Sequence, residues 1–83
     1  MKCRVSRSPL AEDQLAELWV SALDRTALAD AADWIDRVLR DSANVAGESR
    51  EMHRRIVFVP PLAAYFEVDA ADRRVTVLRL RRL

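Results

Sequence analysis

The chain has 83 residues, 51% apolar and 33% charged, with a net charge of +1, which suits one small folded domain spanning residues 1–83. One cysteine, Cys3, and one histidine, His53, supply neither an internal disulfide nor a zinc site, and no stretch resembles a signal peptide or a membrane span. We therefore predict a cytoplasmic protein that uses no metal or small-molecule cofactor and binds no membrane.

The first half of the chain predicts one short strand and two helices. Cys3 and Val5 alternate with polar residues in CRVSR, a strand signal that stops where Ser8 suits a helix N-cap and Pro9 the first helical turn. An apolar stripe through LAEDQLAELWVSALD predicts the first helix, and ALADAADWIDRVLRDS predicts the second, with Thr26 as its N-cap. The connection between them is short, so we expect an antiparallel helical hairpin.

The apolar periodicity also predicts which helix residues face the core. The expected inward residues are Ala11, Leu15, Leu18 or Trp19, and Ala22 in the first helix, and Leu28, Ala31, Ile35, Val38 and Leu39 in the second. The acidic residues Asp30, Asp33 and Asp36 are expected on the outer surface of the hairpin.

The second half of the chain changes to a period of two. The loop DSANVAGES contains Gly47, which can adopt a positive φ. Three strands follow in RRIVFVP, PLAAYFEVD and RRVTVLRL, with Pro60-Pro61 at the first junction and DAADRR as a hairpin turn. The fold class is therefore α+β in two layers: an N-terminal strand, an antiparallel helical hairpin and a three-stranded antiparallel meander (β-α-α-β-β-β), with the hairpin covering one sheet face.

Strand alternation predicts the residues on the sheet face without helices. In the middle strand, Leu62, Ala64, Phe66 and Val68 are expected to face the helices. In the preceding strand we interpret Ile56 and Phe58 as inward, which puts Val57 and Val59 outward. In the last strand we favour the register in which Leu78 and Leu80 face inward and Val77 faces outward. The opposite register, with Val75 and Val77 facing inward, fits nearly as well. The predicted outward set is His53, Arg55, Tyr65, Glu67, Arg79 and Arg81.

This outward set contains the side chains that a nucleic-acid surface needs. Residues 50–83 carry eight arginines against four acidic residues, a net charge of +4, whereas residues 1–49 carry six basic against nine acidic residues, a net charge of −3. Guanidinium groups bind phosphate, an aromatic ring stacks on a base, and a histidine or glutamate can move a proton. The alternative interpretation is an ordinary solvated sheet face.

The stretches VSRSPLAEDQLAELW, AADWIDRVLRDSANVAGESR and RRIVFVPPLAAYFEVDAADRRVTVLRLRR together resemble the RelE/ParE superfamily, the toxins of bacterial type II toxin–antitoxin modules. The resemblance covers nearly the whole chain and implies a single RelE/ParE-like toxin domain that a cognate antitoxin neutralises. In the ribosome-dependent ribonuclease branch it implies that basic sheet residues bind the mRNA backbone while an acid–base group assists attack by the ribose 2′-OH. In the ParE-like branch it implies poisoning of DNA gyrase.

The resemblance also implies which positions carry the function. Arg54 or Arg55 matches the arginine of the strand after the glycine loop, Arg79 or Arg81 matches the basic position of the final strand, and Arg50 matches the basic residue of the loop. The chain has one lysine, Lys2, and ends in RLRRL without a tyrosine or histidine. The proton-transfer candidates are therefore His53, Glu48, Glu51 and Tyr65. The candidate catalytic residues are His53, Arg55, Arg79 and Arg81, and the candidate target-binding residues are Arg50, Arg54, Tyr65 and Arg82.

Two functions are compatible with these residues. The first is a growth-inhibiting toxin that acts through its basic sheet face and C-terminal strand, with ribosome-bound mRNA or DNA gyrase as target and an antitoxin as partner. The second is a degenerate, non-enzymatic binding module of the same fold without toxicity, which holds a partner through exposed apolar groups such as Trp19 or Trp34.

Overall fold

A computed structural model describes residues 2–43, 47–49 and 53–83. Their elements are β1 (Arg4–Arg7), α1 (Pro9–Ser21), α2 (Arg25–Ser42), β2 (Glu48–Ser49), β3 (Arg54–Val59), β4 (Leu62–Asp69) and β5 (Arg74–Arg82). The strands form one sheet in the order β1-β5-β4-β3-β2, in which β1 is parallel to β5 and the other neighbours are antiparallel. The predicted β-α-α-β-β-β order is confirmed, and the two-residue β2 is added before the meander.

Both helices begin at a side chain that accepts a hydrogen bond from a free backbone amide. The Ser8 hydroxyl accepts from the Ala11 N–H at 3.1 Å, as the sequence predicts. The second helix begins earlier than expected, because the Asp24 carboxylate accepts from the Ala27 N–H at 3.0 Å. The prediction of Thr26 as the N-cap was therefore wrong, and Thr26 lies within the first turn of α2.

The helical hairpin covers one face of the sheet and buries the core there. Leu28, Ile35 and Leu39 of α2 are at most 2% exposed, and Phe66 of β4 is fully buried among them. In α1 the choice between two neighbouring residues is settled, because Leu18 packs against the core and Trp19 is 43% exposed. Neither helix in the described part of the chain is long and apolar enough to cross a membrane.

Asp36 departs from its expected place on the outer surface, whereas Asp30 and Asp33 are exposed as predicted. Its carboxylate is partly buried and lies 3.7 Å from the guanidinium group of Arg7, whose Nε donates to Glu12 at 3.0 Å. Burial raises the pKa of Asp36 above its ordinary value of 3.8, and Arg7 opposes that rise. Arg7 therefore links β1 to both helices, and it partly offsets the cost of removing the Asp36 carboxylate from water.

The pH dependence of stability is expected to reflect this carboxylate. A carboxyl group whose pKa is higher in the folded state binds more protons when folded, so the free energy of unfolding falls as the pH rises from 3.8 through the raised value. Asp36→Asn removes that contribution. The free energy of unfolding of the variant minus that of the wild type is therefore expected to increase from acidic to neutral pH. Urea unfolding across that range measures this difference.

The matched control for this measurement is Asp30→Asn, which removes an exposed carboxylate from the same helix. It reports the part of the pH dependence that comes from net charge alone. A difference between Asp36→Asn and the wild type that stays constant with pH, or that shrinks as the pH rises, would contradict the expectation.

Candidate functional site

β5 presents its residues in two different registers, separated by a β-bulge. Val77 lies opposite Phe66, but the next pair is Arg79 opposite Tyr65, so Leu78 is the extra residue. Regular alternation resumes after the bulge, which leaves Arg79 on the outer face. Both registers that the sequence allowed are therefore present, one in each half of the strand. The expectation that Val77 faces outward was wrong, because the bulge lies after it and it is 1% exposed.

β3 faces the opposite way from the prediction. Val59 pairs with Leu62 across the Pro60-Pro61 turn and Val57 pairs with Ala64, so both valines share the core face. Val57 is 9% exposed, whereas Phe58 on the other face is 49% exposed. The alternation could not decide this point, because the two possible inward sets of this strand are equally apolar.

The β3 register separates two neighbouring arginines. Arg54 lies opposite Glu67 on the outer face, and Arg55 lies opposite Phe66 on the helix side. The expectation that Arg55 faces outward was therefore wrong. Its Nη2 donates to the carbonyl oxygen of Gly47 at 2.9 Å, which joins β3 to the loop before it. Arg54 is the arginine of this strand that belongs to the outer face.

Three arginines converge on one groove in the outer face, at the end of the sheet near the Pro60-Pro61 turn. Arg79 lies opposite Tyr65 and Arg81 opposite Ala63, while Arg54 approaches from β3. The groove has a volume of about 210 Å³. We call it the arginine groove, lined by Arg54, Ile56, Ala63, Tyr65, Arg79 and Arg81.

The floor of the arginine groove is apolar and sheltered. Ala63 is only 4% exposed although it lies on the face without helices. The aliphatic stems of the surrounding arginines and the Tyr65 ring are the groups that can cover it. Ile56, opposite Tyr65, is partly buried in the same way. The groove therefore combines positive charge at its rim with apolar surface at its base.

The guanidinium groups of the arginine groove are available to a ligand. Among the described residues, the ion pairs involve Lys2 and Arg7, and no side-chain hydrogen bond uses Arg54, Arg79 or Arg81. Like charges on neighbouring strand positions repel one another, and an anion between them relieves that repulsion. A phosphate group, which accepts two parallel N–H bonds from one guanidinium, has the matching charge and shape.

A second depression occupies the other end of the outer face. It is lined by His53, Glu67, Val68, Asp69, Ala70, Ala71, Arg74 and Thr76, and we call it the polar depression. The His53 carbonyl oxygen accepts from the Val68 N–H at 3.0 Å, which fixes the backbone of His53 beside β4. His53 is thus not grouped with Arg79 and Arg81, and Glu67 lies between them, opposite Arg54.

Of the other two predicted target-binding residues, one lines a different groove and one lies outside the described part of the chain. Arg82 lies opposite Leu62 and lines a different groove with Leu18 and Pro61 on the helix side. Arg50 lies outside the described residues, as does Glu51. Of the candidate residues, Arg54, Tyr65, Arg79 and Arg81 are brought together, and their roles stay predictions.

The sequence interpretation turned Ile56 inward and so missed it as a lining residue, whereas Ala63 lies outward, as the alternation of the middle strand predicts. The signal for Ile56 was the length of the Pro60-Pro61 turn, which fixes the β3–β4 register and so places Ile56 beside Tyr65. The two tryptophans lie away from the groove, on the helices. Trp19 and Trp34 are 43% and 52% exposed, and the guanidinium carbons of Arg25 and Arg37 lie 5.9 and 5.7 Å from their ring centroids.

No family model and no curated protein matches the chain. Solved structures do match over nearly the full length. A chain of the chromosomal ParDE TA system from P. aeruginosa is 22% identical with a TM-score of 0.70, covering 99% of this chain and 97% of that chain. A chain of the toxin-antitoxin complex RelBE2 from Mycobacterium tuberculosis is 15% identical with a TM-score of 0.76, covering 100% of this chain and 93% of that chain.

The archaeal RelE-RelB complex from Pyrococcus horikoshii OT3 is similar as well. Its matching chain is 13% identical with a TM-score of 0.66, covering 99% of this chain and 96% of that chain. Identities at this level speak for the fold, and all three agree on it. The chain therefore has a RelE/ParE-like fold, in which the arginine groove occupies the sheet face opposite the helical hairpin.

Proposed function

We propose that this chain is the toxin of a type II toxin–antitoxin system and that it inhibits growth through the arginine groove. Support for the toxin role comes from the fold, which it shares over nearly its full length with chains of the ParDE, RelBE2 and RelE-RelB structures. The observation that carries the site is the convergence of Arg54, Arg79 and Arg81 around Tyr65.

The chemistry of the groove favours a single-stranded nucleic acid as its ligand. Arg79 and Arg81 lie two residues apart on one strand face, a separation of about 6.6 Å that is close to the spacing of phosphates in an extended chain, so they can bind successive phosphates. The Tyr65 ring and the Ile56 side chain offer a surface on which an unpaired base can stack. We therefore favour mRNA on the ribosome over DNA gyrase as the target.

Cleavage of such a strand would use the arginines and one proton acceptor. The 2′-OH gives its proton to the acceptor and attacks the adjacent phosphorus to form a 2′,3′-cyclic phosphate, while the 5′-oxygen leaves and takes a proton from water. Guanidinium groups stabilise the negative charge that develops on the phosphate oxygens. Glu67 is a carboxylate on the same sheet face, opposite Arg54 and one alternation away from Tyr65. Glu67 is therefore better placed than His53 to accept the proton of the 2′-OH.

A cognate antitoxin is the partner that this function requires. Three unpaired guanidinium groups around an apolar floor would be neutralised by a segment that carries acidic side chains beside an apolar one. Such a segment would occupy the space that the phosphates of the substrate need. We accordingly expect antitoxin and RNA to compete for the arginine groove.

Induced expression in a host without the antitoxin tests the proposal. Growth is expected to stop, and primer extension on translated mRNA is expected to show new 5′ ends while chromosomal DNA stays intact. DNA breaks without new RNA ends would transfer the function to gyrase poisoning. Undisturbed growth at a confirmed level of folded protein would overturn the toxin role and favour the binding module.

A further inference from the structure

β5 loses its strand partner at the point where its bulge begins. β1 pairs with β5 up to Arg7 opposite Val77, and the Ser8 N–H donates to the Val77 carbonyl at 2.8 Å. The chain then turns into α1, so among the described residues no strand neighbours this side of β5 from Leu78 onward. Backbone amide and carbonyl groups left unpaired in a partly buried place are costly.

Two side chains of the α1 segment pair with these backbone groups. The Ser8 hydroxyl donates to the carbonyl oxygen of Leu78 at 3.0 Å, and Gln14 Oε1 accepts from the Leu80 N–H at 2.7 Å. Both bonds are partly buried. The same Ser8 hydroxyl caps α1. The start of α1 thus replaces a strand as the hydrogen-bonding neighbour of the bulge, and Arg79 lies between the two residues that it holds.

The Gln14 bond exists only when β5 is bulged. Along a strand, successive N–H groups point to opposite edges, and before the bulge the odd-numbered residues such as Val77 bond toward β1. Without a bulge, the Leu80 N–H would point toward β4 and away from Gln14. In that regular register Arg79 and Arg81 would also turn toward the helices, because a shift of one residue exchanges the two faces.

We propose that Gln14 and Ser8 are positioning residues, which hold β5 in its bulged register and thereby direct Arg79 and Arg81 into the arginine groove. This inference rests on the proposed function of the groove. Bulges commonly occur beside functional sites, where they redirect a side chain. Here the redirected side chains are two of the three cations of the groove. The two positioning residues lie along the edge of β5 that faces away from β4.

Substitution of Gln14 tests the proposal. Gln14→Leu removes the acceptor of the Leu80 N–H at nearly constant volume. We expect faster hydrogen exchange at the Leu80 amide, shifted NMR signals of the Arg79 and Arg81 side-chain Nε–H groups, and a roughly ten-fold or greater loss of affinity for a fluorescently labelled single-stranded RNA. Gln14→Glu keeps an acceptor at the same place and is expected to restore all three quantities.

The control is Ile35→Val, a core substitution in α2 that lowers stability and changes no residue of α1 or β5. All variants are compared at a temperature where each is fully folded. RNA affinity equally reduced in Ile35→Val, or Arg79 and Arg81 signals unchanged in Gln14→Leu, would overturn the positioning role. If Gln14→Leu shifts those signals while Arg79→Ala leaves RNA affinity intact, the positioning role stands and the RNA-binding function of the groove fails.

Discussion

Replacement of both Arg79 and Arg81 by alanine is expected to abolish growth arrest and to lower the affinity for single-stranded RNA by about 100- to 10,000-fold. Each charge-assisted hydrogen bond contributes about 1.5–3 kcal/mol, and tenfold in affinity corresponds to about 1.4 kcal/mol. The slope of log affinity against log salt concentration is expected to fall by about 1.4, because each phosphate contact to a single strand contributes about 0.7. Fluorescence anisotropy at several salt concentrations measures both.

The fold of this double variant is expected to persist, since both side chains are exposed and substitutions of exposed residues usually change stability by less than about 0.5 kcal/mol. The matched control is Arg25→Ala with Arg37→Ala, which removes the same charge from the helices. That control should lose little affinity and should still arrest growth. Equal losses in the two double variants would show that net charge, and not the arginine groove, determines binding.

The inward faces of the helices and of the middle strand were predictable, because the periodicity of apolar residues alone determines them. In α2 the apolar residues recur on one face, and in β4 apolar residues alternate with others along the whole strand. A wrong register there would expose Leu28 or Phe66, which are 2% and 0% exposed. At about 25 cal/mol per Å² of apolar surface, the free energy lost by exposing these side chains rules out a competing register.

The facing of β3 and β5 was not predictable from periodicity, because in both strands two opposed interpretations bury similar apolar area. In β3 the decision comes from the turn, which sets Val59 opposite Leu62. In β5 it comes from α1, whose Gln14 side chain selects a bulged strand. Neither effect is visible in the residues of the strand itself. The arginine groove depends on both, so its composition could be proposed from the sequence only in part.

Gly47→Ala is expected to destabilise the protein by about 2–4 kcal/mol. Gly47 has a φ of +65°, and a left-handed conformation alone costs a residue with a Cβ about 1–2 kcal/mol. A Cβ here would also overlap the carbonyl oxygen of Ile56 and lie 3.0 Å from Val57 Cα, so the backbone of β3 would have to move. Because Ile56 lines the arginine groove and Arg55 bonds to the Gly47 carbonyl, RNA affinity is expected to fall too.

Arg73→Gly is the matched control, since Arg73 is the non-glycine residue at positive φ in the described part of the chain, with a φ of 53°. Glycine relieves the steric cost there, so urea unfolding should show a stability equal to or greater than that of the wild type. The loss of stability expected at position 47 and the absence of a loss expected at position 73 thus have the same cause. A Gly47→Ala protein with an unchanged unfolding midpoint would mean that β3 can move away from the loop at little cost, and the β3 edge of the arginine groove would then not be held by Gly47.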